Sequence, residues 1–81
     1  MPRTPPQPIR PFRLDFTPLA QRRRFLGLTQ EDLAKSAGVH RTTVWRTETN
    51  DSAPSVAQFV AMARGLGTPM NQLVTVIDID P

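Results

Sequence analysis

The sequence predicts a small all-α domain of five helices, preceded by an irregular arm and followed by a short strand-like tail. Three observations predict it. Apolar residues recur at three- and four-residue spacing, most clearly at Val56, Phe59, Ala63 and Leu66. Glycines close the helical stretches at Gly27, Gly38 and Gly67, where a left-handed residue commonly ends a helix. Hydroxyl residues open them at Thr17, Thr29 and Ser55, where a side-chain oxygen can accept an unpaired backbone N–H.

Residues 1–16 form the arm. Five of the nine prolines lie within MPRTPPQPIRP, and their missing donors and fixed φ exclude helix and central strand. The segment reads as a disordered or polyproline-like extension carrying Arg3, Arg10 and Arg13. The helical domain spans residues 17–73. Thr17 caps the first helix with Pro18 at its first position, and the helix runs through Leu19 and Leu26 to Gly27. Thr29 caps the second, which points Leu33, Ala34 and Ala37 inward and stops at Gly38.

The third helix begins near His40 or Arg41. It is rich in β-branched residues, so tertiary packing through Val44 must hold it where propensity would not. Asn50-Asp51-Ser52-Ala53-Pro54 is a loop, and Ser55 caps the fourth helix, which brings Phe59, Met62 and Leu66 to the core. A short fifth helix follows from Pro69 or Met70 to Leu73. In the tail, residues 74–81, Thr75 and Ile77 alternate with Val76 and Asp78 as in a strand, too short to form a sheet alone. Leu19, Leu26, Leu33, Val44, Phe59 and Leu66 are expected in one core.

Eighty-one residues hold one domain near the lower limit of independent stability, which favours a partner chain. There is no cysteine, and a single histidine builds no metal centre, so neither metal nor cofactor is expected. The acids are scattered and no titratable groups converge, which argues against an enzyme. No segment has the length and apolarity of a membrane span or signal peptide, and a cytoplasmic location fits best. The net charge of +3 is unevenly spread, with +6 over residues 1–46 and −3 over residues 47–81. A basic half of this kind is attracted to a polyanion.

The stretch from Gln30 to Thr47 carries the functional signal. Two helices crossing through a tight turn need a small residue at their closest approach and a glycine where φ turns positive, and Ala34 and Gly38 meet those needs. Arg41, Thr42, Trp45 and Arg46 then face outward; the two arginines and the tryptophan are costly to bury, so solvent or a partner must receive them.

Over residues 19–73 the chain resembles the phage-repressor and Cro family of helix-turn-helix regulators, the Xre type. The resemblance rests on G-L-T-Q-E-D-L-A at 27–34, G-V-H-R-T-T-V at 38–44, Glu48, Pro54-Ser55 and A-R-G-L-G at 63–67. It implies a five-helix repressor-like bundle whose third helix enters the DNA major groove. Position by position, it implies that Arg41, Thr42, Arg46 and the leading His40 contact bases, and that Gln30, Arg23, Thr43 and Asn50 contact phosphate. Arginine suits guanine O6 and N7, and threonine suits a thymine methyl or an amino group. Arg23 and Glu48 match a family pair tying the first helix to the end of the third.

Three positions depart from the pattern. His40 stands for a serine or threonine cap, Thr47 for an aliphatic core residue whose hydroxyl would bond back into the helix, and Asn50 for a glycine in the left-handed region. Trp45, unusual on the outward face, can lie against the sugar–phosphate backbone or at a dimer contact.

The function expected is sequence-specific recognition of double-stranded DNA by a homodimeric transcriptional regulator, with two recognition helices reading a two-fold operator. Leu73, Val74, Val76, Ile77 and Ile79 are the expected dimer contact, because a tail so apolar needs cover. The H-R-T run at 40–42 is similar to controller proteins of restriction–modification systems, and the strand-like tail to antitoxins that repress their own operon beside a toxin partner. A protein-interaction module without DNA binding is the competing class; the exposed arginines argue against it.

Overall fold

The computed structural model describes residues 4–80. In chain order these form β1 (Phe12–Asp15), α1 (Thr17–Phe25), α2 (Gln30–Ala37), α3 (Arg41–Glu48), α4 (Val56–Gly65), a 3-10 turn (Met70–Gln72) and β2 (Thr75–Asp78). The helix count is therefore four, with one tight turn where a fifth helix was expected. Gln72 N–H bonds Pro69 O and Leu73 N–H bonds Met70 O, both i to i+3, and Leu73 then drops fully buried into the core. The chain has only those few residues in which to reverse before β2, too few for α-helical turns.

The helix starts follow the expected chemistry with one shift. Thr29 and Ser55 accept the backbone N–H of Asp32 and Gln58, whose side chains bond back, so both are capping boxes. Those same contacts from Thr29, backbone N–H first, lower the pKa of Asp32. Thr17 does not cap α1. It is already helical, and Asp15 accepts its backbone N–H at 2.9 Å as well as its hydroxyl. α3 is capped by His40, whose Nδ1 accepts the N–H of Thr42 at 3.1 Å. Gly38 ends α2 with φ of 67°, a value that a side chain would strain.

Leu19, Leu33, Val44, Met62 and Leu73 are wholly buried, with Ala34, Ala63 and Leu66 beside them and Leu28, Val39 and Phe59 packed against the cluster. Phe16 meets Phe59 edge to face at 5.4 Å. Gly65 lets α4 close on α2, since a Cβ there would sit 3.0 Å from Ser36 Oγ and 3.3 Å from Leu33 Cδ1. Leu26, expected in the core, is 40% exposed. It occupies the C-cap of α1, and Leu28, drawn in by a bond from its N–H to Arg23 O, takes the inner place. Thr47 is buried and its hydroxyl donates to Thr43 O at 2.8 Å, the back-bond expected of it.

The molecule is not wholly α. β1 and β2 pair antiparallel, with Phe12 opposite Asp78, Arg13 opposite Ile77, Leu14 opposite Val76 and Asp15 opposite Thr75. Residues 12–15, assigned by the sequence to the arm, are therefore a strand, and the tail strand is paired within its own chain. Residues 4–11 are exposed and irregular, while Arg3 lies outside the described residues. No helix among the described residues is long and apolar enough to cross a membrane.

Candidate nucleic-acid interface

α3 buries Val44, Thr47 and Glu48 and leaves Arg41, Thr42, Trp45 and Arg46 exposed, as helical period demands once Val44 is pinned in the core. His40 is exposed at its start and Thr43 is half-buried. Gln30, the first residue of α2, reaches across to Glu48 with Nε2 at 3.1 Å from Oε1. A groove of about 430 Å³ runs along Gly27, Thr29, Gln30 and Arg41, and a notch of about 290 Å³ lies between Gln30, Arg41, Thr42 and Trp45. The first turn of α2 adds the positive dipole end, suited to a phosphate, with the Asp32 N–H taken by Thr29 and the acids Glu31 and Asp32 in the same turn.

Arg23 and Glu48 form the expected pair, and it is buried. Nε lies 2.6 Å from Glu48 Oε2 and Nη2 2.9 Å from Oε1, while Nη1 donates to Leu28 O at 2.7 Å. All three guanidinium nitrogens are thus engaged inside the protein. The pair is an internal tie joining α1, the segment before α2 and the end of α3, and Arg23 also lines the groove along Gln30 and Arg41. The carboxylate bonds raise the Arg23 pKa further, against the opposing cost of burial.

The other cations on the face differ. Arg41 has no ion-pair partner among the described residues, whereas Arg46 lies 3.8 Å from Asp51, both side chains 57% exposed. Sequence reasoning missed Asp51. Its signal was an acid five residues past an arginine, in the loop that folds back at the helix end. Asn50 adopts φ of 59°, as expected, and its amide is engaged within the protein. Its Oδ1 accepts the Phe16 N–H at 2.8 Å and its Nδ2 donates to Asp15 at 2.9 Å, so it binds the end of α3 to the strand before α1. The two Thr17 bonds, then the Asn50 bond, hold the Asp15 pKa at about 2.

The tail residues separate in the structure. Leu73 is fully buried and is removed as a dimer contact; Val74 and Ile77 are half-buried. Val76 is 61% and Ile79 46% exposed. Cross-strand pairing puts Val76 beside Leu14 and Phe12 beside Asp78 on one sheet face, and Phe12 and Leu14 are 51% and 38% exposed. Sequence reading missed these two, although the alternation Phe-Arg-Leu-Asp at 12–15 carried the signal.

Residues 18–74 match the helix-turn-helix domain family. An HTH-type transcriptional regulator from Methanothermobacter thermautotrophicus is 36% identical over 64 residues, which cover 79% of this chain and 93% of the relative. The crystal structure of the restriction-modification controller protein C.AhdI from Aeromonas hydrophila superposes with a TM-score of 0.68 at 28% identity, over 70% of this chain and 86% of that one.

Proposed function

We propose that this chain, which belongs to the helix-turn-helix domain family, is a DNA-binding transcriptional regulator of the Xre type that reads double-stranded DNA with α3. One observation carries the reading: two arginines, a threonine and a tryptophan stand exposed on a single face of a helix whose opposite face is locked by the buried Glu48. Arg41, Thr42 and Arg46 meet base edges, with His40 leading. Gln30, the α2 N-terminus and Thr43 take phosphates. The role is one of binding in the cytoplasm, with no catalytic step.

The working unit is a homodimer, because one eight-residue helix touches few base pairs and two-fold half-sites stand about 34–36 Å apart. The apolar sheet face of Phe12, Leu14 and Val76 is its best-supported contact. Among biological roles, the controller of a restriction–modification system is favoured by the solved structure this chain resembles. The antitoxin role keeps the support of a strand after the last helix, although that strand pairs with β1 of its own chain.

Selection of duplexes from a random library tests the base reading. A two-fold consensus is expected, with affinity falling steeply with salt; retention without sequence preference would defeat it. Val76→Asp tests the contact, since it leaves the core intact where cutting before Leu73 would not. Sedimentation should show a folded monomer with operator binding at least tenfold weaker, and an unchanged dimer would clear the sheet face of that role.

A further inference from the structure

We propose that Trp45 reads the C5-methyl group of a pyrimidine, held in the notch that its indole forms with Gln30, Arg41 and Thr42, beside the base taken by Arg41. The inference rests on α3 being the base-reading helix and names what one of its residues discriminates. Trp45 lies three and four residues beyond Thr42 and Arg41, on the same stripe of the helix, and is 49% exposed. The exposed half of this indole, beside two exposed arginines, is apolar surface facing solvent. It lies on the face of the outward arginines and lines one notch with Gln30, Arg41 and Thr42.

One wall of the notch is anchored before any ligand arrives. The Gln30 amide is held by Glu48 Oε1, which also accepts from Arg23 Nη2, so the side chain facing Trp45 is anchored through a buried ion pair. On the far side, Thr42 sits in the first turn of α3, its backbone N–H taken by His40. A space of about 290 Å³ between these residues admits the edge of a base with a substituent on it.

The chemistry then selects the group. In the major groove the base pairs offer acceptors, amino donors and, on the pyrimidine edge, an apolar C5 position that carries a methyl in thymine and only hydrogen in cytosine. An indole has one N–H and otherwise only apolar surface, so donors and acceptors facing it would lose their water without replacement. The methyl loses nothing. Arg41, beside it and without an ion-pair partner among the described residues, supplies the bidentate donors for an adjoining guanine, and the pair of side chains together reads a methylated pyrimidine next to guanine. Thymine and 5-methylcytosine both carry this methyl, and the experiment separates them.

The test uses the full chain and a duplex chosen by library selection, with affinities measured by anisotropy. Each thymine is replaced singly by deoxyuridine, which removes only the methyl. One thymine per half-site, adjacent to a guanine, should weaken binding roughly fourfold, the effect of burying one methyl. Trp45→Ala should bind the thymine and uracil duplexes equally, whereas Thr42→Ser, which keeps the hydroxyl and drops the threonine methyl, should retain the preference. Trp45 is the sole tryptophan, so its fluorescence should change more with the thymine duplex than with the uracil one. Placing cytosine and then 5-methylcytosine at the position shows whether the second methyl is accepted; recovery with 5-methylcytosine assigns the site to the methyl alone, and no recovery confines it to thymine. The proposal is overturned if Trp45→Ala keeps the thymine preference, or if it weakens both duplexes alike, as packing on the sugar–phosphate backbone would. Failure to select any duplex would instead remove the base-reading helix itself, and this inference with it.

Discussion

The α3 face and the β1–β2 face are both exposed, but they are backed in opposite ways. Behind α3 lies the Arg23–Glu48 pair, bonded to Leu28 O and Gln30, so each outward side chain stands on a rigid polar frame. The sheet has two four-residue strands, with Phe12, Leu14 and Val76 on one face and no element over them. The first surface offers charge and hydrogen bonds, which water satisfies until a polyanion replaces it. The second offers apolar area, which water penalises at once. A rigid polar face suits recognition by geometry, and a bare apolar one suits association by area.

The two regions are joined, and perturbing the joints tests how independent they are. The largest effect should come from Glu48→Ala, which strands a nearly buried guanidinium. Removing one partner of such a pair costs about 3 kcal/mol or more, and urea denaturation should show that loss. Small change in stability would mean that the frame behind α3 is dispensable, and the contrast with the sheet would fail.

Next, Arg41→Ala and Arg46→Ala should each cost roughly 1–3 kcal/mol on the selected site and relax preference at one base pair, with dimerisation untouched. Arg41 should matter more, because Arg46 already shares its charge with Asp51 in the free protein. Equal losses, or a change in oligomeric state, would show that the faces are not separate.

The smallest effect belongs to the joint between them. Asn50→Gly keeps the positive φ available but deletes the bonds to Phe16 and Asp15, and should lower stability by roughly 1–2 kcal/mol. Cooperative binding to paired half-sites should weaken more than binding to one. Acid titration sharpens the point. Asp15 has its pKa depressed from 3.8 to about 2, so its contribution is complete above 3.8 and disappears as pH falls through about 2. In Asn50→Gly that acid limb should still begin near 3.8, where the unfolded chain titrates, but be smaller and end at a pH above about 2; an unchanged limb would show that Asn50 does not support the Asp15 charge.

Much of this molecule is local, and what is local was legible in the residues. Thr29 and Ser55 cap, Gly38 and Asn50 turn left-handed, Thr47 bonds back, and Val44 faces inward with Arg41 and Arg46 outward, because each is decided within a helical turn of its own position. The Arg23–Glu48 pair was reachable only through family resemblance, being 25 residues apart in the chain. Other features depended on distant partners. A four-residue alternation at 12–15 is a strand only because 75–78 arrives beside it, and Leu73 is core rather than contact because the chain must reverse there. Nothing near Asn50 in sequence announces Asp15 and Phe16. Hydrogen-bond partners and sheet edges are properties of two segments at once, so the tertiary fold alone decided which exposed residues remained free to meet DNA and which were already taken.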